Sequence, residues 1–169
     1  MSLAVLTCSY PTNTRGGRYL TANTWQTVPM NSIESQFNTN GGGTNFCTLT
    51  AIPTGSFVLT SGRYRIDGWM RFWTRLPANT WQARITNISN PSKSIAFGSS
   101  VTSGARRSSA ASPTSGIAHV MGEFATSGEK FSMQVYTSIV SADDQALGIP
   151  SNIAGIKECY AYLEIHKIY

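Results

Sequence analysis

The side chains through which this chain could do chemistry are few: two histidines, His119 and His166, eight acids, and three cysteines, Cys8, Cys47 and Cys159. Both histidines fall inside strand-like segments. A Ser-His-Asp or Cys-His constellation can be drawn because serine is abundant, but no local signature such as G-x-S-x-G accompanies it. Packing or an interface hydrogen bond accounts for the histidines better than catalysis. The one adjacent acid pair, Asp143-Asp144 in "SADDQALG", lies on a loop-like stretch. Neighbours in sequence seldom present both carboxylates to one glycosidic bond, as hydrolysis by paired carboxylates requires. An oxygen-rich loop suits calcium, a hard cation, better, and an ordinary solvated turn suits the pair better still. "NGGGTN" lacks the strand–helix setting and the lysine of a phosphate loop. The cysteines are odd in number and without C-x-x-C spacing, which fits neither a zinc site nor a dense disulfide framework. Free, mostly buried thiols are expected; a Cys8–Cys159 bridge is open to the chain if its terminal strands are neighbours. These residues predict no enzyme and no cofactor beyond that weak calcium candidate.

A different kind of site is suggested by "SGRYRIDGWMRFWTR", Ser61 to Arg75. Tyr64, Ile66, Gly68, Met70 and Phe72 alternate as a core face should. The opposite set is Arg63, Arg65, Asp67, Trp69, Arg71 and Trp73, too aromatic for plain solvent and too charged for a core. The last segment, "CYAYLEIHKIY", repeats this. Ala161, Leu163 and Ile165 read as core, while Tyr160, Tyr162, Glu164 and His166 make the other face. Half-buried charges must be paired, and Trp, Tyr and Arg concentrate at subunit contacts. Arg65, Asp67, Trp69, Arg71, Tyr160, Tyr162, Glu164 and His166 are therefore the candidate interface residues. Other segments alternate against water instead: Phe131, Met133, Val135, Thr137 and Ile139 oppose Ser132, Gln134, Tyr136 and Ser138, and Trp81, Ala83 and Ile85 oppose Gln82, Arg84 and Thr86.

The elements that must carry these faces follow from composition. The 169 residues fit one domain, 1–169, with Met-Ser-Leu having the form of an expression leader. Hydrophobic residues are 41% and charged residues only 12%; about a quarter are Ser or Thr, and no run keeps helical apolar spacing. An all-β domain is predicted. Its strands are expected at Leu3–Ser9, Arg18–Leu20, Thr24–Met30, Phe46–Thr50, Ser56–Thr60, Arg63–Trp73, Thr80–Ile88, Ser94–Phe97, Ile117–Ala125, Lys130–Ile139 and Tyr160–Ile168. "SGE" at Ser127–Glu129 reads as a tight hairpin turn, and Ser99–Gly116 as a long surface loop. The tetrapeptide "NTWQ" occurs at Asn23–Gln26 and Asn79–Gln82; without a third copy or matching flanks it marks no repeat. No apolar run is long enough to cross a bilayer, and "MSLAVLTCSYP" lacks the basic start of a secretion signal. The net charge is +5 with a pI near 9.3. Lysines and arginines are scattered, apart from Arg106-Arg107, so no nucleic-acid surface is expected. A mildly basic soluble domain accounts for that balance, and an attraction to anionic sugars or surface phosphates is left open to it.

Several of these segments, in order, resemble a known family. "TSGRYRIDGWMRF" resembles the G-x-Y-x-[FI] strand of C1q/tumour-necrosis-factor-like jelly rolls. "GEFATSGEKFSMQVYTS" is similar to that family's pair of long strands with its E-x-F-x-x-Q pattern. "YAYLEIHKI" looks like the L-x-I-x-K endings of C1q-like heads on bacteriophage tail fibres and spikes. The resemblance runs from about Leu3 to Ile168. It implies a ten-stranded, two-sheet jelly roll assembled as a homotrimer, with Arg63–Trp73, Ile117–Ala125 and Tyr160–Ile168 in the sheet nearest the threefold axis. No Gly-X-Y stalk precedes the domain and the Ser99–Gly116 connection is long, which favours a virion fibre or spike head over an extracellular complement relative. The expected function is non-enzymatic: trimerisation, and recognition of a host cell-surface polysaccharide or receptor through Arg106, Arg107 and Trp73 at the strand end. A purely structural virion cap and a glycan-processing enzyme are the competing readings.

Overall fold

A period of two in hydrophobicity calls for strands, and strands are what form. A computed structural model describes residues 2–11, 14, 21–37, 45–50, 55–74, 78–90, 94–98, 100–102, 114–139, 147–148, 150, 153–155 and 157–168. Among them there is no helix. In chain order the strands are β1 (Ser2–Tyr10), β2 (Gln26–Thr27), β3 (Ser32–Phe37), β4 (Cys47–Leu49), β5 (Ser56–Leu59) and β6 (Ser61–Thr74), then β7 (Thr80–Asn87), β8 (Ser94–Phe97), β9 (Val101–Thr102), β10 (Thr114–Ser127), β11 (Lys130–Thr137) and β12 (Glu158–Lys167). They make two open antiparallel sheets. The first has the order β10-β6-β12-β1-β3; the second runs β4-β5-β11-β7-β8, with β2 beside β11 and β9 beside β7. The main paths hold ten strands and the two short additions bring the described total to twelve.

The core lies between the sheets and comes from one alternating set of each strand. Tyr64, Ile66 and Met70 of β6, Leu163 and Ile165 of β12, and Ala4 and Leu6 of β1 are fully buried. Phe57, Leu59, Trp81, Ala83, Phe131 and Met133 meet them from the second sheet, equally buried. The sheets touch through rings: Phe72 stacks on Trp81 at 5.4 Å and 16°, and Phe124 meets Phe131 at 4.9 Å. Each such side chain contributes about 1.5–3 kcal/mol by leaving water. Gly68 permits the close contact of β6 with β12, since a Cβ there would stand 2.7 Å from the Tyr162 carbonyl oxygen and strike the Leu163 side chain.

Several elements differ from the sequence reading, and one of them, β9, falls inside the Ser99–Gly116 stretch expected as a loop. β3 is unanticipated because "SIESQF" carries only two apolar residues. It is an edge strand held as much by side chains as by its ladder: the Asn31 amide receives the Ser9 N–H at 2.9 Å and donates to the Ser9 carbonyl at 2.8 Å, and Thr7 donates to Glu34 at 2.9 Å. The Ser127–Glu129 turn is not a hairpin, because its two strands lie in different sheets. β10 pairs with β6 along its whole length, from Thr114↔Thr74 to Ser127↔Ser61, while β11 pairs with β7 and β5. The turn is a crossing between layers, closed by the Thr126 hydroxyl, which accepts the Glu129 N–H at 3.0 Å. β10 also begins earlier than Ile117. The predicted Arg18–Leu20 strand lies outside the described residues.

Candidate functional site

On the first sheet the pairing register decides which residues meet on the outer face. β6 lies between β10 and β12, so its outward residues form rows with theirs. One row is His119, Trp69 and Tyr162; the next is Met121, Asp67 and Glu164; the third is Glu123, Arg65 and His166. Trp69 stacks on Tyr162 at 5.9 Å and 11°. In the middle row Asp67 and Glu164 stand directly opposite, an arrangement of like charges that destabilises a lone sheet. Around them, His166 Nε2 lies 3.7 Å from Glu164, an ion pair whenever the imidazole is protonated. His166 Nδ1 is buried without a hydrogen-bond partner. The Tyr162 hydroxyl is pushed above its ordinary pKa by burial and then by the charge of Glu164, to which it hydrogen-bonds. The Arg65 guanidinium reaches the Met121 sulfur at 3.6 Å, a weak contact, while Arg63 takes Glu123 at 3.4 Å in the open. Among the described residues, Arg65, Asp67 and Arg71 form no ion pair with one another or with any other side chain. Shallow depressions mark the face, among them one of about 360 Å³ where Asp67, His119 and Met121 meet Phe97. Another, of about 420 Å³, is lined by Arg65, Asp67, Glu123, Glu164 and His166. A third, of about 590 Å³, is lined by Arg71, Trp73, Ser115, Gly116 and Ile117.

Seven of the eight candidate interface residues therefore share one face: Arg65, Asp67, Trp69, Arg71, Tyr162, Glu164 and His166. Tyr160 does not. The register slips between Cys8↔Ala161 and Ser9↔Cys159, and such a bulge reverses the alternation for one residue. Tyr160 turns into the core at 0% exposure, where its hydroxyl donates to the Thr14 carbonyl at 2.6 Å. Trp73 is also corrected: at 3% exposure it offers no open platform. The chain at Gly148 lies over this end of the sheet; a Cβ there would be 2.8 Å from the Tyr160 ring and 3.7 Å from the Arg71 Cβ. Arg106, Arg107, Asp143 and Asp144 lie outside the described residues. No disulfide joins Cys8, Cys47 and Cys159; although β1 and β12 are neighbours, Cys8 faces the core while Cys159 is only half-buried. No group of three or more His, Cys, Asp or Glu placed to hold a metal occurs among the described residues.

Two groups escaped the sequence reading. Ile117 and Met121 on β10, with Phe97 at the end of β8, are 46%, 59% and 56% exposed along one edge of the molecule. Their even exposure to solvent has no periodic signal, since edge strands alternate like any other. The second group lies on the outer face of the second sheet. Trp25 sits over the Arg84 guanidinium at 4.1 Å, beside Tyr136 at 5.5 Å and Phe97 at 6.3 Å. Its signal was the first "NTWQ": the Trp81 of the second copy is core, whereas Trp25 stays partly exposed. Compared with known proteins, the chain matches no family model, and no curated protein is significantly similar to it in sequence.

Proposed function

We propose that the chain is a non-enzymatic head domain, a C1q/TNF-like jelly roll that assembles as a homotrimer at the tip of a phage fibre or spike and recognises a host-surface glycan. The observation that carries this reading is the outer face of the first sheet. It gathers a stacked Trp69–Tyr162 pair, two opposed carboxylates and two arginines without described carboxylate partners. A face of that kind is stabilised when a partner supplies the missing counter-charges. The strand order supports the jelly-roll reading: β5 to β6, β6 to β7, β10 to β11 and β11 to β12 all change sheet. The three strands that the family resemblance places nearest the threefold axis, β10, β6 and β12, are adjacent in one sheet. At the β10 edge of that face the half-exposed apolar side chains of Ile117 and Met121 differ from its charged and aromatic centre. A contact between such unlike patches is head-to-tail, and it closes into a ring when the rotation between subunits closes.

The test is the mass of the protein in solution. The native chain is expected at three times its monomer mass of 18.3 kDa, and Arg71→Glu is expected to shift that mass toward the monomer and to lower the melting temperature. An Arg71→Glu protein with unchanged mass and melting temperature overturns the interface reading.

A further inference from the structure

The second sheet turns its outer face away from the surface used above, and it holds a polar aromatic cluster built around one arginine. Arg84 on β7 is clamped from two directions. Its Nε and one terminal nitrogen both donate to Gln134 Oε1, at 2.9 and 2.7 Å, and the Trp25 ring covers its plane at 4.1 Å. Burial pulls its pKa below the ordinary arginine value, so the cation has lost water. Among the described residues it has no carboxylate partner in exchange. A guanidinium carries five N–H donors in a fixed fork; Gln134 uses two of them. The cluster is ordered by its surroundings. Asn23 adopts a positive φ of 56°, gives its N–H to the Thr137 carbonyl at 2.8 Å, and accepts the Tyr136 hydroxyl at 2.7 Å. That places Trp25 over β7 and β11. Gln82 is fixed likewise, donating to the Gly98 carbonyl at 2.9 Å. The rim is thus amides and a phenol, with the half-open rings of Trp25 and Phe97 set at 64° to each other.

We infer that Trp25, Phe97, Arg84, Gln134 and Tyr136 form a binding site for an acidic sugar unit of a polysaccharide, the rings receiving the apolar face of the pyranose and Arg84 its carboxylate. Each part of the chemistry selects this class. A sugar ring has one face of C–H bonds that packs on an aromatic plane, and a perimeter of hydroxyls that neutral amides and phenols satisfy. A protein partner would instead call for a ridge of apolar side chains at the centre, with polar groups outside. The held, desolvated guanidinium adds the preference for an anion, because a carboxylate there gains charge-assisted hydrogen bonds without further ordering of the arginine. The net charge of +5 attracts the same polymers at a distance. This deepens the glycan reading and rests on it for the source of the sugar; it does not need the trimer.

The experiment titrates the full-length protein with a short oligogalacturonate, with its methyl ester, and with an oligosialate. Calorimetry and the indole N–H resonances of the four tryptophans report binding; Trp25→Phe assigns the resonance of interest. The expected result is that at least one acidic oligosaccharide shifts the Trp25 indole. For oligogalacturonate, the acid should be held about tenfold more tightly than its ester, as one charge-assisted pair implies. Trp25→Ala should abolish binding, and Arg84→Met, which keeps the side chain's length under Trp25, should remove the preference for the acid while near-ultraviolet circular dichroism stays native. Binding that survives Trp25→Ala overturns the site yet leaves a glycan-recognising head in place. Equal affinity for acid and ester, or for native protein and Arg84→Met, overturns the role of the arginine. No binding of either acid at millimolar concentration overturns the inference, and the mass of the same sample states independently whether the trimer stands.

Discussion

Cys47 shows what burial alone does to one functional group in this molecule. It lies on β4, 1% exposed, against the sandwich core, and desolvation pushes its thiol up to about 12. The folded state therefore keeps the proton at pH values where the unfolded chain, with an ordinary thiol, loses it. Stability linked to Cys47 is present in full below the unfolded pKa of 9.0 and is lost as pH rises from there toward 12. Tyr64, also raised by burial, acts in the same direction above its own ordinary value. Denaturant titrations between pH 8 and 11 should show stability falling by up to about 1.4 kcal/mol per pH unit for each such proton. Cys47→Ala should flatten the part of that slope nearest pH 9 to 10, since it removes the thiol that burial raises most and leaves Tyr64, Tyr162 and the half-buried Cys159 to titrate. A slope identical in native and Cys47→Ala proteins would place the thiol outside the core. The same burial makes Cys8 and Cys47 slower toward alkylating reagents than the half-buried Cys159.

Among the elements, the long strands were legible because their alternation is strict and their core faces are uninterrupted. β7 and β11 need no information beyond their own residues, and the mixed outer face of β6 and β12 was visible from type alone except at Trp73 and Tyr160. What was not legible depends on partners. β3 exists because Asn31 and Glu34 find Ser9 and Thr7 on β1, a fact no local pattern contains. Tyr160 leaves its expected face because β12 slips by one residue against β1, and a one-residue slip is invisible until both strands are paired. The Trp25 cluster is assembled from β7, β8, β11 and the segment before β2. The Ser127–Glu129 turn was placed correctly but given the wrong partners, since a tight turn can reverse a chain within a sheet or pass it to the next. Here Gly128, at φ 103°, takes a conformation that costs other residues, and Thr126 supplies acceptors for the Gly128 and Glu129 N–H groups. Gly128→Ala is expected to destabilise by about 1–2 kcal/mol in urea unfolding through strain alone, because nothing lies within 4 Å of a Cβ built there. A neutral Gly128→Ala would mean the crossing turn relaxes freely.

At the scale of the whole molecule, the two outer faces differ in kind. The first sheet's face is charged, aromatic and locally imbalanced, with like carboxylates opposed at its centre; the second holds Arg84 in place through Gln134 and Trp25 and leaves other donors of its guanidinium open. In the proposed trimer the imbalance of the first is resolved between subunits and the second remains outward for ligand. Ile117 and Met121 lie at the β10 edge of the first face, and their fate distinguishes an assembly contact from a folding contact. These side chains are about half-exposed in the single chain, so charging one of them should cost the isolated fold little. For Met121→Glu we expect a melting temperature that no longer rises with protein concentration, whereas that of the native chain does, because only an associating protein gains stability by mass action. The substitution also places a third acid in the row that already holds Asp67 and Glu164, so its effect on assembly should weaken as salt screens the face. Concentration-independent melting in the native protein would mean that the face is stable alone. The opposed carboxylates would then need a counter-ion from solution rather than from a sister subunit.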